Sequence, residues 1–161
     1  SSAASDVYKR QVQEGAYEQF LARFSDVLKN IKVGDGLEAG TDMGPLAHER
    51  RVPAMSAFID DAKKHGGKVV VGGGPLDRKG FFFAPTVVTD LPDDSMLMTE
   101  EPFGPVAPVV RFKDTDEVLR RANSLPFGLS SYVFTNSLKT ATKVSNGLEA
   151  GMVNILSLIH I

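Results

Sequence analysis

Between Val106 and Ile155 the spacing of apolar residues changes period four times. Val106 to Phe112 is a near-continuous apolar run of strand length, and Asp114 followed by Glu117 makes a capping-box-like start for a helix through Val118, Leu119 and Ala122. Leu125-Pro126-Phe127-Gly128 breaks that helix, "LSSYVFT" (Leu129 to Thr135) reads as a strand, Ser137 to Asn146 as a helix ended by Gly147, and "GMVNI" (Gly151 to Ile155) as a last strand. A helix between two strands is the connection that parallel strands need. The β-α-β-α-β order therefore predicts an α/β fold, a largely parallel sheet flanked by helices.

Upstream the same two periods recur. Phe20, Leu21, Phe24, Val27, Leu28 and Ile31 are spaced by threes and fours from Tyr17 onward, with Glu18, Arg23, Asp26 and Lys29 between them, which predicts an amphipathic helix. "KVGDGLEAGTDMGP" is rich in turn formers, and Val52, Met55, Phe58, Ile59 and Ala62 then resume helical spacing until His65-Gly66-Gly67. "KVVVGG" (Lys68 to Gly73) and "FFFAPTVVTD" (Phe81 to Asp90) read as short strands separated by a Gly-Pro turn.

Composition narrows the function. With 161 residues, 42% of them hydrophobic and 24% charged, the chain can bury one core. Eighteen basic against twenty acidic residues leave a net charge of −2 and no basic stripe, which argues against nucleic acid as a partner. No apolar run reaches the ~20 residues that span a bilayer, and no signal-peptide pattern opens the chain, so a cytoplasmic setting and no membrane partner are expected. There is no cysteine, hence no disulfide, no thiolate metal site and no cysteine nucleophile in this chain.

The two ends stand apart. Residues 1–11, "SSAASDVYKRQ", show no packing period, and residues 156–161, "LSLIHI", form an apolar tail without a stop signal. Both resemble translated adapter scars flanking metagenomic gene fragments, and are expected to be non-native, leaving 12–155 as the informative segment.

The glycine clusters at Gly34 to Gly36 and Gly72 to Gly74 lack the strand before and helix after that a dinucleotide fingerprint requires, and read as turns. His48, His65 and His160 are scattered singly, without a carboxylate at metal-ligand spacing, and are expected to be exposed or capping; no metal is implied. "TEEPFGPVAPV" (Thr99 to Val109) carries the densest chemistry. Glu100 and Glu101 point to opposite faces in extended chain, so a single acid facing a site is expected rather than a catalytic pair. Pro102 and Pro105 fix two φ angles around Phe103, which is either a rigid ligand shelf or a core plug.

Seven segments in order, "VQEGAYEQF", "KVGDG...GTDMGPL", "GGKVVVGGG", "GFFFAPTVVTD", "EEPFGPVAPVVRF", "ANSLPFGLSSYVFT" and "LEAGMVNI", resemble the C-terminal, catalytic half of NAD(P)-dependent aldehyde dehydrogenases. The flavour of "MGPL" and "NSLPFGLSSYVFT" is most similar to the succinate-semialdehyde dehydrogenase branch. The resemblance implies a partial aldehyde dehydrogenase catalytic domain over 12–155. It places Glu101 on the nicotinamide ribose hydroxyls of NAD or NADP, Phe103 beside that ribose and ring, and Leu129 by the nicotinamide. A carboxylate is a two-oxygen acceptor suited to vicinal hydroxyls, and an aromatic face can buttress a ring without competing for its hydrogen bonds. Arg51 falls where some members carry a polar residue near the adenosine half of the cofactor, but its neighbours differ and it receives no role.

The family's reaction oxidises an aldehyde, which the branch resemblance makes succinate semialdehyde, to a carboxylate through a cysteine thioester. The cysteine belongs shortly before the segment matching "VQEGAY", inside the expected scar, so no catalytic residue is assigned and the chain alone is expected to be inactive. The water-activating glutamate, the oxyanion asparagine and the dinucleotide-binding domain would lie further upstream; the complete parent is expected to be a homodimer or homotetramer. Two alternatives are a stand-alone interaction or regulatory domain derived from this fold and an acyl-phosphate reductase of related fold. The latter lineage does not usually carry Glu-Glu-Pro-Phe-Gly-Pro.

Overall fold

A computed structural model describes residues 9–126 and 128–156. One compact unit ends at Arg111 and the other begins at Phe112. In the first, the described elements are β1 (Arg10–Gln13), α1 (Glu14–Lys29), α2 (Arg51–Lys64), β2 (Lys68–Val71), β3 (Thr86–Thr89), α3 (Met96–Thr99) and β4 (Val106–Phe112, whose last residue falls just past the unit's end).

The strands form one sheet in the order β1-β4-β3-β2. β3 runs parallel to β4, with Thr86 opposite Val106 and Val88 opposite Pro108. Alternation along β4 sends Val106 and Val110 to one face and Val109 to the other. On the first face Met55, Phe58, Ile59 and Ala62 of α2, spaced at three and four, close over Val88, Val106 and Val110. On the second, Tyr17, Phe20, Leu21, Phe24 and Leu28 of α1 cover Val87 and Val109. A sheet buried on both faces needs no polar alternation, and all four residues of β3 are buried. Val27, counted in the apolar period of α1, is 62% exposed.

β2 departs from the expected parallel arrangement by pairing antiparallel with β3. Lys68 faces Thr89 and Val69 faces Val88, but Val71 faces Val87, so the register slips by one at Val70. Residues two apart in a regular strand share a face; the extra residue puts Val69 against the α2 side and Val71 against the α1 side. β2 stops at Val71 rather than Gly73 because Gly72 and Gly73 take left-handed φ values of 68° and 104°. A Cβ at Gly72 would collide with the Pro85 carbonyl, and the Gly73 amide donates to the Thr86 hydroxyl at 2.9 Å. The strand expected over Phe81 to Asp90 is confined to β3. Its first half is spent on loop bonds, with the Phe81 and Phe82 carbonyls accepting from the Leu46 and Leu76 amides and the Ala84 amide donating to the Gly74 carbonyl.

The second unit holds α4 (Thr115–Ala122), β5 (Ser130–Val133), α5 (Leu138–Gly147) and β6 (Met152–Ile155). Asp114 caps α4 as expected, its carboxylate accepting from the Asp116 and Glu117 amides at 3.0 and 2.9 Å. Glu117 reaches back to accept from the Lys113 amide at 2.8 Å, one residue beyond the N-cap amide that a regular capping box uses. β5 and β6 are parallel, Ser130 opposite Met152 through Val133 opposite Ile155, with α5 as the crossover. They make a two-stranded sheet of their own. The side-chain amide of Asn123 ties α4 to α5, donating to the Gly147 carbonyl at 2.7 Å and accepting from the Glu149 amide at 3.0 Å.

Candidate functional site

The loop from Glu100 to Pro105 leaves α3 and enters β4. Four residues cannot make a self-sufficient helix, and α3 is anchored from outside: the Met96 amide donates to the Asp61 carboxylate of α2 at 2.8 Å. Inside α3 the Thr99 hydroxyl donates to the Ser95 carbonyl at 3.1 Å and the Glu100 amide to the Met96 carbonyl at 2.8 Å. Glu100 is then extended, at φ −127° and ψ 152°, and exposed; Glu101 is half-buried. The two carboxylates therefore occupy different environments, as alternation in extended chain requires.

Pro102 is fully buried, and its carbonyl accepts from the Arg51 guanidinium at the start of α2. Phe103 follows with φ 42° and 63% of its surface exposed. Its ring is thus not a core plug. A bulky residue in the left-handed region costs roughly 1–2 kcal/mol, and hydrogen bonds from a charged donor contribute about 1.5–3 kcal/mol, enough for the Arg51 contact to offset the strain. Gly104 lies against Met55, where a Cβ would collide with the thioether sulfur. The Pro105 carbonyl accepts from the Thr86 amide at 2.8 Å, and the Val106 amide turns back to the Gly104 carbonyl at 2.8 Å.

Glu101 and Phe103 thus share one fixed loop of the first unit. Leu129 belongs to the second unit, 53% exposed just before β5, its carbonyl accepting from the Met152 amide at 3.0 Å. Arg51 was not legible as part of this loop, being 51 residues from its partner, with no spacing signal to connect them. An open cleft lined by His48, Glu49, Arg50 and Pro53 lies at the start of α2, with none of the three cofactor candidates in its wall.

The histidines differ from one another. His65 ends α2, with Nδ1 2.9 Å from the Asp61 carbonyl and 3.3 Å from its carboxylate. His48 departs from the expected exposed or capping role: it is half-buried and its Nδ1 is shielded from solvent without a partner. His160 lies outside the described residues. Among the described residues no three His, Cys, Asp or Glu side chains gather as metal ligands, and no helix is long and apolar enough to cross a membrane.

The loop presents a half-buried carboxylate and an exposed aromatic face, two residues apart, on a backbone held by Arg51 and packed against Met55. Neither glycine cluster leads from a strand into a helix, so neither offers a phosphate cradle of the dinucleotide-fold kind.

An α/β segment carrying this loop defines a class, and the chain belongs to the aldehyde dehydrogenase family, whose sequence model matches residues 4–159. Over 144 residues it is 39% identical to the NADP(+) succinate-semialdehyde dehydrogenase of Escherichia coli and 41% identical to the glutarate-semialdehyde dehydrogenase of Pseudomonas aeruginosa. Each alignment covers 89% of this chain and 30% of the relative. The NAD+ complex of an aldehyde dehydrogenase from Bacillus cereus superimposes with a TM-score of 0.91 at 37% identity, over 96% of this chain and 31% of that one. The chain spans less than a third of the length of the proteins it matches.

Proposed function

We propose that this chain is the part of an NAD(P)-dependent aldehyde dehydrogenase that seats the nicotinamide end of the cofactor, and that the complete enzyme oxidises a short semialdehyde to a carboxylate. The observation that carries this is Phe103, held exposed at φ 42° beside the half-buried Glu101. In this assignment Glu101 accepts from the ribose hydroxyls, Phe103 backs the ribose and ring, and Leu129 supplies an apolar contact. The cofactor, when bound, takes up hydride from the substrate; these side chains orient it. The names of the succinate- and glutarate-semialdehyde dehydrogenases it resembles support a substrate with an aldehyde at one end and a carboxylate at the other.

The experiment places residues 12–155 of this chain in the Escherichia coli relative, in place of its matching segment. The chimera is expected to oxidise succinate semialdehyde with NADP+, Glu101→Gln to raise its cofactor KM about tenfold, as loss of one hydrogen bond to a charged group would, and Phe103→Ala to raise it about as much by removing an apolar contact. Both variants behaving like the parent chimera would overturn the assignment. The isolated chain has no cysteine and is expected to show no turnover.

A further inference from the structure

We propose that Arg51 is a positioning residue for the Glu101 to Phe103 loop, a proposal that rests on the cofactor role just given. The Pro102 carbonyl lies in the peptide that joins the two candidate side chains, and its direction depends on the ψ of Pro102 and the φ of Phe103. By donating to that carbonyl, the Arg51 guanidinium fixes the left-handed turn at Phe103, which would otherwise relax. Arg51 and Met55 are four residues apart on α2 and share a face. One holds the chain at Pro102 and the other fills the space beneath Gly104, so the two contacts bracket Phe103 on both sides. The Nε of Arg51 is shielded from solvent and has no partner, so the side chain meets this carbonyl through a terminal nitrogen. A lysine ammonium could supply the same single donor.

The chain has no tryptophan, so Phe103→Trp places one fluorophore at the site. In that background Arg51→Met is expected to raise acrylamide quenching about twofold, in keeping with release of a hydrogen-bonded loop, while Arg51→Lys leaves it unchanged. Circular dichroism and melting curves establish that each variant folds; should Arg51→Met fail to fold, Arg51→Gln, whose amide is too short to reach the carbonyl, replaces it. In the chimera, Arg51→Met is expected to raise cofactor KM about tenfold with kcat within about twofold, and Arg51→Lys to restore most of the loss. A raised KM in Glu101→Gln alongside an unchanged KM in Arg51→Met overturns the role of Arg51 alone. An unchanged KM in both overturns the cofactor role of the loop, and this proposal with it.

Discussion

The guanidinium carbon of Arg111 lies 3.9 Å from the centre of the Tyr17 ring, and Tyr17 donates its hydroxyl to the Val109 carbonyl at 3.2 Å. Arg111 also reaches Glu18 of α1 at 2.6 Å, so two consecutive helix residues are fastened to one end of β4. Burial pushes the Tyr17 phenol above its ordinary value near 10, with the charge of Arg111 working in the opposite direction. The folded chain therefore keeps a proton that the unfolded chain releases, and this contribution is complete below about pH 10 and lost as the pH climbs towards the raised value. Urea melts at pH 8 and pH 10.5 should show lower stability at the higher pH. Tyr17→Phe should cost about 1 kcal/mol at pH 8 and flatten the alkaline decline; an unchanged decline would place its origin elsewhere.

Gly104→Ala should destabilise the first unit by about 1–3 kcal/mol, because its methyl would enter the space of the Met55 sulfur. Combining it with Met55→Ala tests the cause. If the collision is responsible, the double variant loses less than the sum of the two single losses; additive losses would mean that Gly104 acts through its backbone.

Phe103→Asn should leave stability unchanged or raise it by up to about 1 kcal/mol, since asparagine tolerates the left-handed region and little of the ring is buried. Cofactor affinity in the chimera should fall at the same time. A stability loss well beyond 1 kcal/mol would show that the ring packs rather than waits for a ligand.

In the second unit Asp114→Ala should cost about 1 kcal/mol by removing the cap of α4. Hydrogen exchange should locate the change at Asp116 and Glu117. Faster exchange confined to β2 and β3 would contradict it.

Elements whose own side chains determine them were legible in the sequence. α1 and α2 follow from apolar residues at three and four, and α5 begins at Ser137, whose hydroxyl accepts from the Thr140 amide at 3.2 Å. Elements determined by distant partners were not. α3 depends on the Asp61 carboxylate, 35 residues away, and the antiparallel pairing of β2 on the slip at Val70. Phe81 to Phe83 have strand composition, but loop amides take the Phe81 and Phe82 carbonyls, and Phe83 makes an isolated bridge with Pro75. At the candidate site, the acid and the aromatic were visible through the order of family motifs. The arginine beneath them was visible only in three dimensions.

The slipped register of β2 has a consequence for the rim of the sheet. Lys-Val-Val-Val at the rim of a sheet would, if regular, offer a flat ladder of unpaired amides and carbonyls on which a neighbouring chain could grow. The displaced Val70, the lysine at one end and the left-handed glycines at the other leave only a short, bent stretch of rim. One extra residue thus lets Val69 and Val71 pack, partly buried, on opposite faces of the sheet and interrupts the regular ladder along the rim.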